Sequence, residues 1–561
     1  MDYRPRLEGV DGTLASELRA VSELFAKVDR PPATIQALRY RVRTDEETLA
    51  KLLRSRGYYA AVVRGRTRVE AGQTEVVVTV EAGPRYRIGE FRVLGVPDEH
   101  AEPVRGAALE PGAYLVAADV LAAEAAIVDA LVLRGYPFAR SGGTVVELDH
   151  GAQTGDVRVS IRAGDFARFG EVVFEGLEKV DEETARRKLV WAKGDAYDPG
   201  AVADSRDALM ATGAFRTVSI GHADAVDDVG EVAMTVVVGE GPRRGIGTGL
   251  RYSSTEGFAA GAYWEHRNLL GGTEKLRIDV EGGELGYLGG VKYRGPNVLG
   301  SESDLVSVFE LASDDTDAFE RDALTLAVGL ERRFFENVVA GIGGSFEQST
   351  IEDSDGDDEN FTLFGVPLTI RRDTTRDLLD PKRGQRTALA VTPYADVTGG
   401  GLGMLIVKLS ESVYVPLDKG QRAVLGLRSA VGTILGPARD DIPADKRFYA
   451  GGGDSVRGYE FQSVGELDDD NEPRGGRSLL QGTLEVRYKV TESIGVVPFV
   501  DAAIVGTSPL PDPSEEVQVG AGLGLRYFTA IGPIRVDVAV PVDRRDVDDA
   551  FQIYIGLGQA F

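Results

Sequence analysis

The chain has 561 residues, with 63 basic and 89 acidic side chains and a formal net charge of −26. That balance argues against a nucleic-acid binder, which needs a basic footprint. The absence of cysteine excludes a disulfide framework and Cys-ligated zinc. Its four histidines (His100, His150, His222, His266) leave little for imidazole catalysis or metal ligation. No cofactor, metal or enzymatic activity is expected. G-x-S-x-G, H-E-x-x-H and P-loop patterns are missing, and no helix follows Gly245-x-Gly247-x-Gly249 to make it a nucleotide loop. No apolar run reaches the about 20 residues of a membrane helix: 121–133 carries Glu124 and Asp129, and 494–506 carries Pro498 and Asp501. A membrane barrel stays open, because its signal is alternation rather than bulk hydropathy. Met1-Asp2-Tyr3 lacks a basic and an apolar leader segment and reads as a mature form with an added start.

Residues 3–242 read as a threefold repeat. Gly57-Tyr58-Tyr59, Gly135-Tyr136-Pro137-Phe138 and Gly213-Ala214-Phe215 are spaced 78 residues apart. Each glycine ends a helix-like stretch (46–56, 118–134, 203–212), where a left-handed cap is required. Alternating strands follow, such as Val76, Val78, Val80 and Val157, Val159, Ile161. Gly83-Pro84, Gly164-Asp165 and Gly241-Pro242 close the units. The predicted fold is therefore three α+β modules (3–83, 84–164, 165–242), each a strand, helices and two strands.

From residue 243 the helical pattern stops. Segments of about ten residues alternate apolar with polar or small, as a barrel strand between lipid and water does. Leu484, Val486, Tyr488 and Val490 share one face; Thr483, Glu485, Arg487 and Lys489 share the other. Phe551, Ile553, Ile555, Leu557 and Phe561 are expected on one face of the last segment. Sixteen segments begin near 245, 258, 273, 286, 303, 323, 337, 361, 385, 402, 421, 481, 495, 517, 532 and 550, predicting a 16-stranded antiparallel transmembrane β-barrel over 243–561. Short turns (268–272, 295–300, 416–420, 491–495, 529–533) then fall at one end and long connections (313–322, 348–360, 433–480, 505–516) at the other. The acidic runs 314–322, 352–359, 466–472 and 543–549 all fall in connections predicted at that second end and read as solvated loops. Asp353-Ser354-Asp355-Gly356-Asp357 places its glycine too early for an EF-hand loop.

Three modules ahead of such a barrel resemble the outer-membrane assembly superfamily built from polypeptide-transport-associated (POTRA) domains. The sixth connection at that second end carries Phe448-Tyr449-Ala450-Gly451-Gly452-Gly453-Asp454-Ser455-Val456-Arg457-Gly458-Tyr459, which resembles that family's FxGG…(V/I)RG(Y/F) motif. Asn268-Leu269-Leu270-Gly271, Pro498-Phe499-Val500-Asp501 and Ile531-Gly532-Pro533-Ile534-Arg535-Val536-Asp537 resemble further family segments. The module count and the end, Gln552-Ile553-Tyr554-Ile555-Gly556-Leu557-Gly558, are similar to the translocation-and-assembly-module (TamA-type) branch. One position departs from the family: Gln559 stands where the closing signal has a hydrophobe.

Alternation places Glu485, Phe499 and Asp501 on the lumen side, so Arg457 from the loop above is expected to pair with Glu485 or Asp501. The family pattern implies the same clamp, with Val456, Gly458 and Tyr459 as its motif neighbours. Glycine weakens strands, so Gly245, Gly247 and Gly249 in the first strand, with Gly556, Gly558 and Phe561 in the last, predict a fragile lateral seam. An unpaired edge there templates an incoming strand. The resemblance implies an outer-membrane assembly or translocation factor in a Gram-negative bacterium. Its POTRA domains would lie in the periplasm, and a TamB-like periplasm-spanning partner would bind the first of them. Unfolded outer-membrane proteins would be its clients, and lipid would surround the seam. A general insertase of the BamA kind and a passive porin are the alternatives.

Overall fold

Alternation fixes the centre of each repeat. Val76, Val78 and Val80 point one way and are buried, as are Val157, Val159 and Ile161, and Val232, Met234 and Val236. The structure, a computed structural model, describes residues 2–70, 73–98, 106–298, 303–335, 337–353, 358–397, 401–530 and 532–561. In it these residues form the middle strand of three separate three-stranded sheets. Gln73–Glu81 lies between Tyr3–Glu8 and Val62–Glu70, and Thr154–Arg162 between Arg87–Leu94 and Arg140–Asp149. Glu231–Glu240 lies between Arg168–Glu175 and Phe215–His222. In every sheet the first strand runs parallel to the middle one. Parallel pairing needs a crossover, and the helices Ile35–Ser55, Ala117–Val132 and Pro199–Ala211 lie within these crossovers.

The helix Ile35–Ser55 shows why this local choice holds. Leu38, Val42, Leu49 and Leu53 recur at helical spacing and are buried, and the Thr34 hydroxyl accepts the Ala37 N–H at 3.2 Å as an N-cap. Gly57, Gly135 and Gly213 have φ of +94°, +92° and +71°, the left-handed geometry that stops a helix. The first two turns are tied to the start of the following unit: Tyr86 N–H donates to the Gly57 carbonyl and Ala167 N–H to the Gly135 carbonyl, both at 2.8 Å.

The chain divides into two compact units. One holds the residues up to Leu177 together with Ala185–Ala211 and Phe215–Gly239; the other holds Glu178–Thr184, Thr212–Ala214 and Glu240–Phe561. The second unit is a closed antiparallel barrel. Among the described residues, seventeen strand segments build sixteen walls. The eighth wall is split into Asp358–Gly365 and Leu368–Asp373, and both pieces pair with the same neighbours, Val338–Asp353 and Gly384–Asp396. The split falls at Val366-Pro367, beside Pro393, where proline nitrogens offer no ladder donor.

Strands are longer than the hydropathy pattern predicts at the long-connection end. The expected connection 313–322 is a hairpin: Ser303–Thr316 pairs with Phe319–Phe335 to its tip, so most of that acidic run is strand. Arg321 neutralises Asp314 there at 2.8 Å and Asp445 at 2.7 Å. Similarly, Val338–Asp353 covers the start of the expected connection 348–360. Residues 354–357, in the segment whose glycine comes too early for an EF-hand loop, lie outside the described residues, as do 299–300 of the turn 295–300 and Ile531.

Glu178–Thr184 is tied into the barrel unit by polar contacts. The Asn268 side-chain amide donates to the Lys179 carbonyl at 2.9 Å, and Asp181 N–H donates to the Gly271 carbonyl at 3.0 Å. The Glu240 carboxylate accepts the N–H groups of Glu178, Lys179 and Val180 at 2.8–2.9 Å. Burial acts to raise this carboxyl, but the three donated N–H groups and Arg243 outweigh it, so it titrates below the ordinary glutamate value. A lowered folded value means that its stabilisation is present above the unfolded value and lost as pH falls through the folded one. Glu240→Ala is therefore expected to speed hydrogen exchange at 178–180 at pH 7, and acidification of the parent through that lowered value to do the same.

Candidate functional site

The lumen-facing positions of the twelfth to fifteenth barrel strands (Ser478–Lys489, Ile494–Gly506, Gln518–Thr529, Gly532–Pro541) and the sixth long loop (436–477) meet inside the barrel. Along Ser478–Lys489, Gln481, Thr483, Glu485 and Arg487 are buried while Leu480, Leu484 and Tyr488 face outward. The loop is folded on itself before it reaches the wall. Phe448 and Gly476 exchange N–H donors at 2.8 Å, and Val464 N–H donates to the Ala450 carbonyl at 2.9 Å. Phe448, Ala450, Val456, Tyr459 and Val464 then pack in one apolar cluster with Ile434, Leu479 and Ala503 of the wall.

Arg457 is delivered from the loop tip and is 1% exposed. Its Nε and Nη2 donate to the two carboxylate oxygens of Asp501 at 2.8 and 3.0 Å, a bidentate pair, and its backbone N–H also donates to Asp501 at 3.2 Å. Nη1 donates to Asp537 at 3.2 Å. The guanidinium lies 3.3 Å from the centroid of the Phe499 ring, a cation–π stack. Burial alone would lower the guanidinium's affinity for its proton; Asp501, Asp537 and Glu485 more than reverse this, so it is raised and stays charged.

Of the two expected partners, Asp501 holds Arg457 directly. Glu485 comes only within 3.8 Å of it and instead accepts Arg487 Nε at 2.5 Å. Asp537 is the second hydrogen-bonded partner, beyond the two that alternation and the loop motif point to; its signal in the sequence is its place at the end of 531–537 and the inward parity it shares with Arg535 and Ala539. It also pairs with Arg526, which is fully buried. Three arginines (457, 487, 526) thus face three carboxylates (485, 501, 537) in the lumen, and their formal charges cancel. Buried charges persist only when paired in this way.

The motif neighbours each have a contact. Val456 and Tyr459 are fully buried. Gly458 has φ +107° and donates its N–H to the Tyr554 hydroxyl at 3.0 Å. Opposite, the wall leaves no room for a side chain at Gly520, where a Cβ would overlap the Arg457 carbonyl oxygen. Gly520→Ala is expected to lift the loop from the wall and destabilise its seat by about 1–3 kcal/mol, read as faster proteolysis within 448–476.

The seam is where the barrel is least paired. The first strand, Arg244–Ser253, pairs with the last, Gln552–Leu557, only at Tyr252↔Ile555 and Ser253↔Tyr554. By contrast the fifth and sixth strands pair along fourteen positions. Residues 244–251 have no ladder partner on the last strand. Gly245, Gly247 and Gly249 pair on their other side with Glu265, Tyr263 and Gly261, and Gly556 pairs with Arg535. Gly558, at φ +92°, turns the chain inward.

The turn at Gly558 overturns one expectation. Phe561 does not continue the outer face of Phe551, Ile555 and Leu557. It lies in the lumen, stacked on Tyr414 with centroids 6.0 Å apart, and its carbonyl accepts Arg487 Nη2 at 2.8 Å. A left-handed residue breaks the period of two, so alternation cannot be carried past it.

Residues 268–561 match the Omp85 superfamily domain, and residues 167–241 match a POTRA domain described as a surface antigen variable number repeat. The outer membrane protein assembly factor BamA of Nitratidesulfovibrio vulgaris is 22% identical over 520 residues, covering 89% of this chain and 65% of its own length. The chain therefore spans a little under two thirds of that relative. Among solved structures, BamA of Haemophilus ducreyi lacking POTRA domains 1–3 aligns with a TM-score of 0.70 at 18% identity, covering 84% of this chain and all of that one. CdiB of Acinetobacter baumannii aligns at 0.50 with 13% identity, covering 85% of this chain and 90% of its own. The domain match extends over more than half of the residues and takes in the Arg457 loop, its carboxylate seat and the last strand, and on that basis the chain belongs to the Omp85 superfamily.

Proposed function

We propose that this protein is an outer-membrane assembly factor of the TamA type. It would insert β-barrel or autotransporter-type clients through the seam between its first and last strands. The observation that carries the reading is the two-position ladder at that seam, in a barrel whose other neighbouring walls pair over six or more positions among the described residues. The free edge at 244–251 can accept a client strand by β-augmentation, after which lipid lies on the far side. No covalent chemistry is needed. The three sheets before the barrel are read as three POTRA domains (3–83, 84–164, 165–242) in the periplasm, each with edge strands able to take an extended segment. Residues 3–83 are assigned to a TamB-like periplasm-spanning partner.

The test is reconstitution of the full chain in liposomes with an unfolded outer-membrane client. Folding of that client is expected to run several-fold faster than in liposomes containing a porin of equal size. No acceleration, together with large steady single-channel openings, would favour the porin reading; with the sixth loop folded into the lumen, small or flickering ones are expected. A general BamA-like insertase is the second reading, favoured by the BamA relative above. Crosslinking from residues 3–83 in native membranes separates the two: a long periplasm-spanning protein is expected for the TamA type, and its absence alongside lethal depletion for the BamA type.

A further inference from the structure

The position that departs from the family's closing signal, Gln559, makes two side-chain hydrogen bonds. Its Oε1 accepts Arg526 Nε at 2.8 Å and its Nε2 donates to Asp380 Oδ1 at 2.9 Å. The backbone beside it is held too: Gly558 N–H donates to the Pro533 carbonyl at 2.7 Å and Gln559 N–H to the Leu379 carbonyl at 2.9 Å. A hydrophobe at 559 could keep the backbone bonds but neither side-chain bond.

The first strand shows what this holding withholds. Extending Tyr252↔Ile555 and Ser253↔Tyr554 one residue at a time would set Leu250 beside Leu557, Thr248 beside Gln559 and Ile246 beside Phe561. Ile246 and Leu250 are 84% and 71% exposed on that unpaired stretch. The extended register would cover Ile246 with Phe561. It would also turn Gln559 to the outer face shared by Ile555 and Leu557, where lipid offers its amide no partner.

We infer that Gln559 is a latch that sets the seam. Bonded to Asp380 and Arg526, it holds 558–561 in the lumen and the seam at two paired positions; released, those residues zip onto 246–250 and close the edge. The glutamine acts on both sides of this equilibrium, because it is satisfied inside and costly outside. The latch also reaches the loop clamp. Arg526 shares Asp537 with Arg457, so the chain Asp380–Gln559–Arg526–Asp537–Arg457 links the end of the last strand to the sixth loop. Gln559 is in this sense a positioning residue, and the inference deepens the seam reading above by naming what keeps the seam short.

The test reads conformation and not client assembly, so it stands or falls apart from the proposed activity. Gly247→Cys with Ala560→Cys places thiols at positions that face each other only in the extended register. In the full chain in membranes, oxidation is expected to give little disulfide. Adding Gln559→Leu, or separately Asp380→Ala, is expected to raise the yield several-fold. Equal yields with and without these changes would overturn the latch. Should the cysteine pair prevent barrel formation, hydrogen exchange serves on the cysteine-free chain: Gln559→Leu is expected to slow exchange at the seam-facing amides of 245–250, and an unchanged rate would be equally fatal.

Discussion

Arg457→Ala is expected to lower the temperature at which the barrel loses its compact form on semi-native gels, while the three N-terminal sheets keep their helix and strand content. The magnitude follows from what is left behind. Asp501 loses both bonds donated by the guanidinium and keeps only the backbone N–H of residue 457, and Asp537 keeps only Arg526. Removing one partner of a buried ion pair costs about 3–5 kcal/mol, mostly because the other charge stays buried. Arg457→Lys is expected to recover little, since an ammonium cannot make the bidentate contact or the planar stack on Phe499. Asp501→Asn separates charge from shape: it keeps an acceptor of similar volume yet leaves the guanidinium short of one charge. It should fall between the parent and Arg457→Ala. Identical gel behaviour of Arg457→Ala and the parent would show that the loop does not brace the wall.

The second large effect is at the seam. Tyr252→Cys with Ile555→Cys joins two residues that already face each other in the short ladder. Under oxidising conditions this bond is expected to abolish client assembly in the liposome system, and a reductant to restore it. A matched pair at Leu305→Cys with Leu330→Cys, within the fully zipped fifth and sixth strands, is expected to leave assembly near the parent level. Undiminished assembly by the locked protein would remove opening of the seam from the mechanism, because a covalent bond across its two-position ladder leaves 244–251 free yet forbids the two terminal strands from parting to release a client. A locked barrel should also resist heat better than the parent, which gives a check that the bond has formed.

Much of this arrangement could be read from residues alone, for identifiable reasons. Strand starts near 245, 258, 286, 303, 385 and 495 lie within a residue or two of Arg244, Gly257, Gly286, Ser303, Gly384 and Ile494. A wall between lipid and a polar lumen forces a period of two, and turns interrupt it. That Arg457 would pair with Glu485 or Asp501 was legible because alternation turns both carboxylates inward and the loop motif supplies the arginine; that Asp501 and not Glu485 holds it was not, because Arg487 takes Glu485. What could not be read has physical causes as well. Alternation says which face a residue takes but not how far a hairpin rises past the lipid, so the strand around Asp314 and Arg321 looked like a loop. Phe561 was placed outside because a period of two was carried through Gly558, whose backbone turns the chain. Arg526, Tyr554 and Gln559 announce themselves only in three dimensions, since their partners lie 11 to 179 residues away in the chain.

The cancelled charges in the lumen carry a consequence for the setting in which such a barrel works. Mobile ions weaken attraction between exposed groups within a Debye length of about 8 Å at physiological ionic strength. Arg457, Asp501 and Asp537 are sealed from bulk solvent, so those ions cannot come between them. Concentrated sodium chloride should therefore strip the exposed pair Arg251–Glu281 of its worth and leave the plug in place.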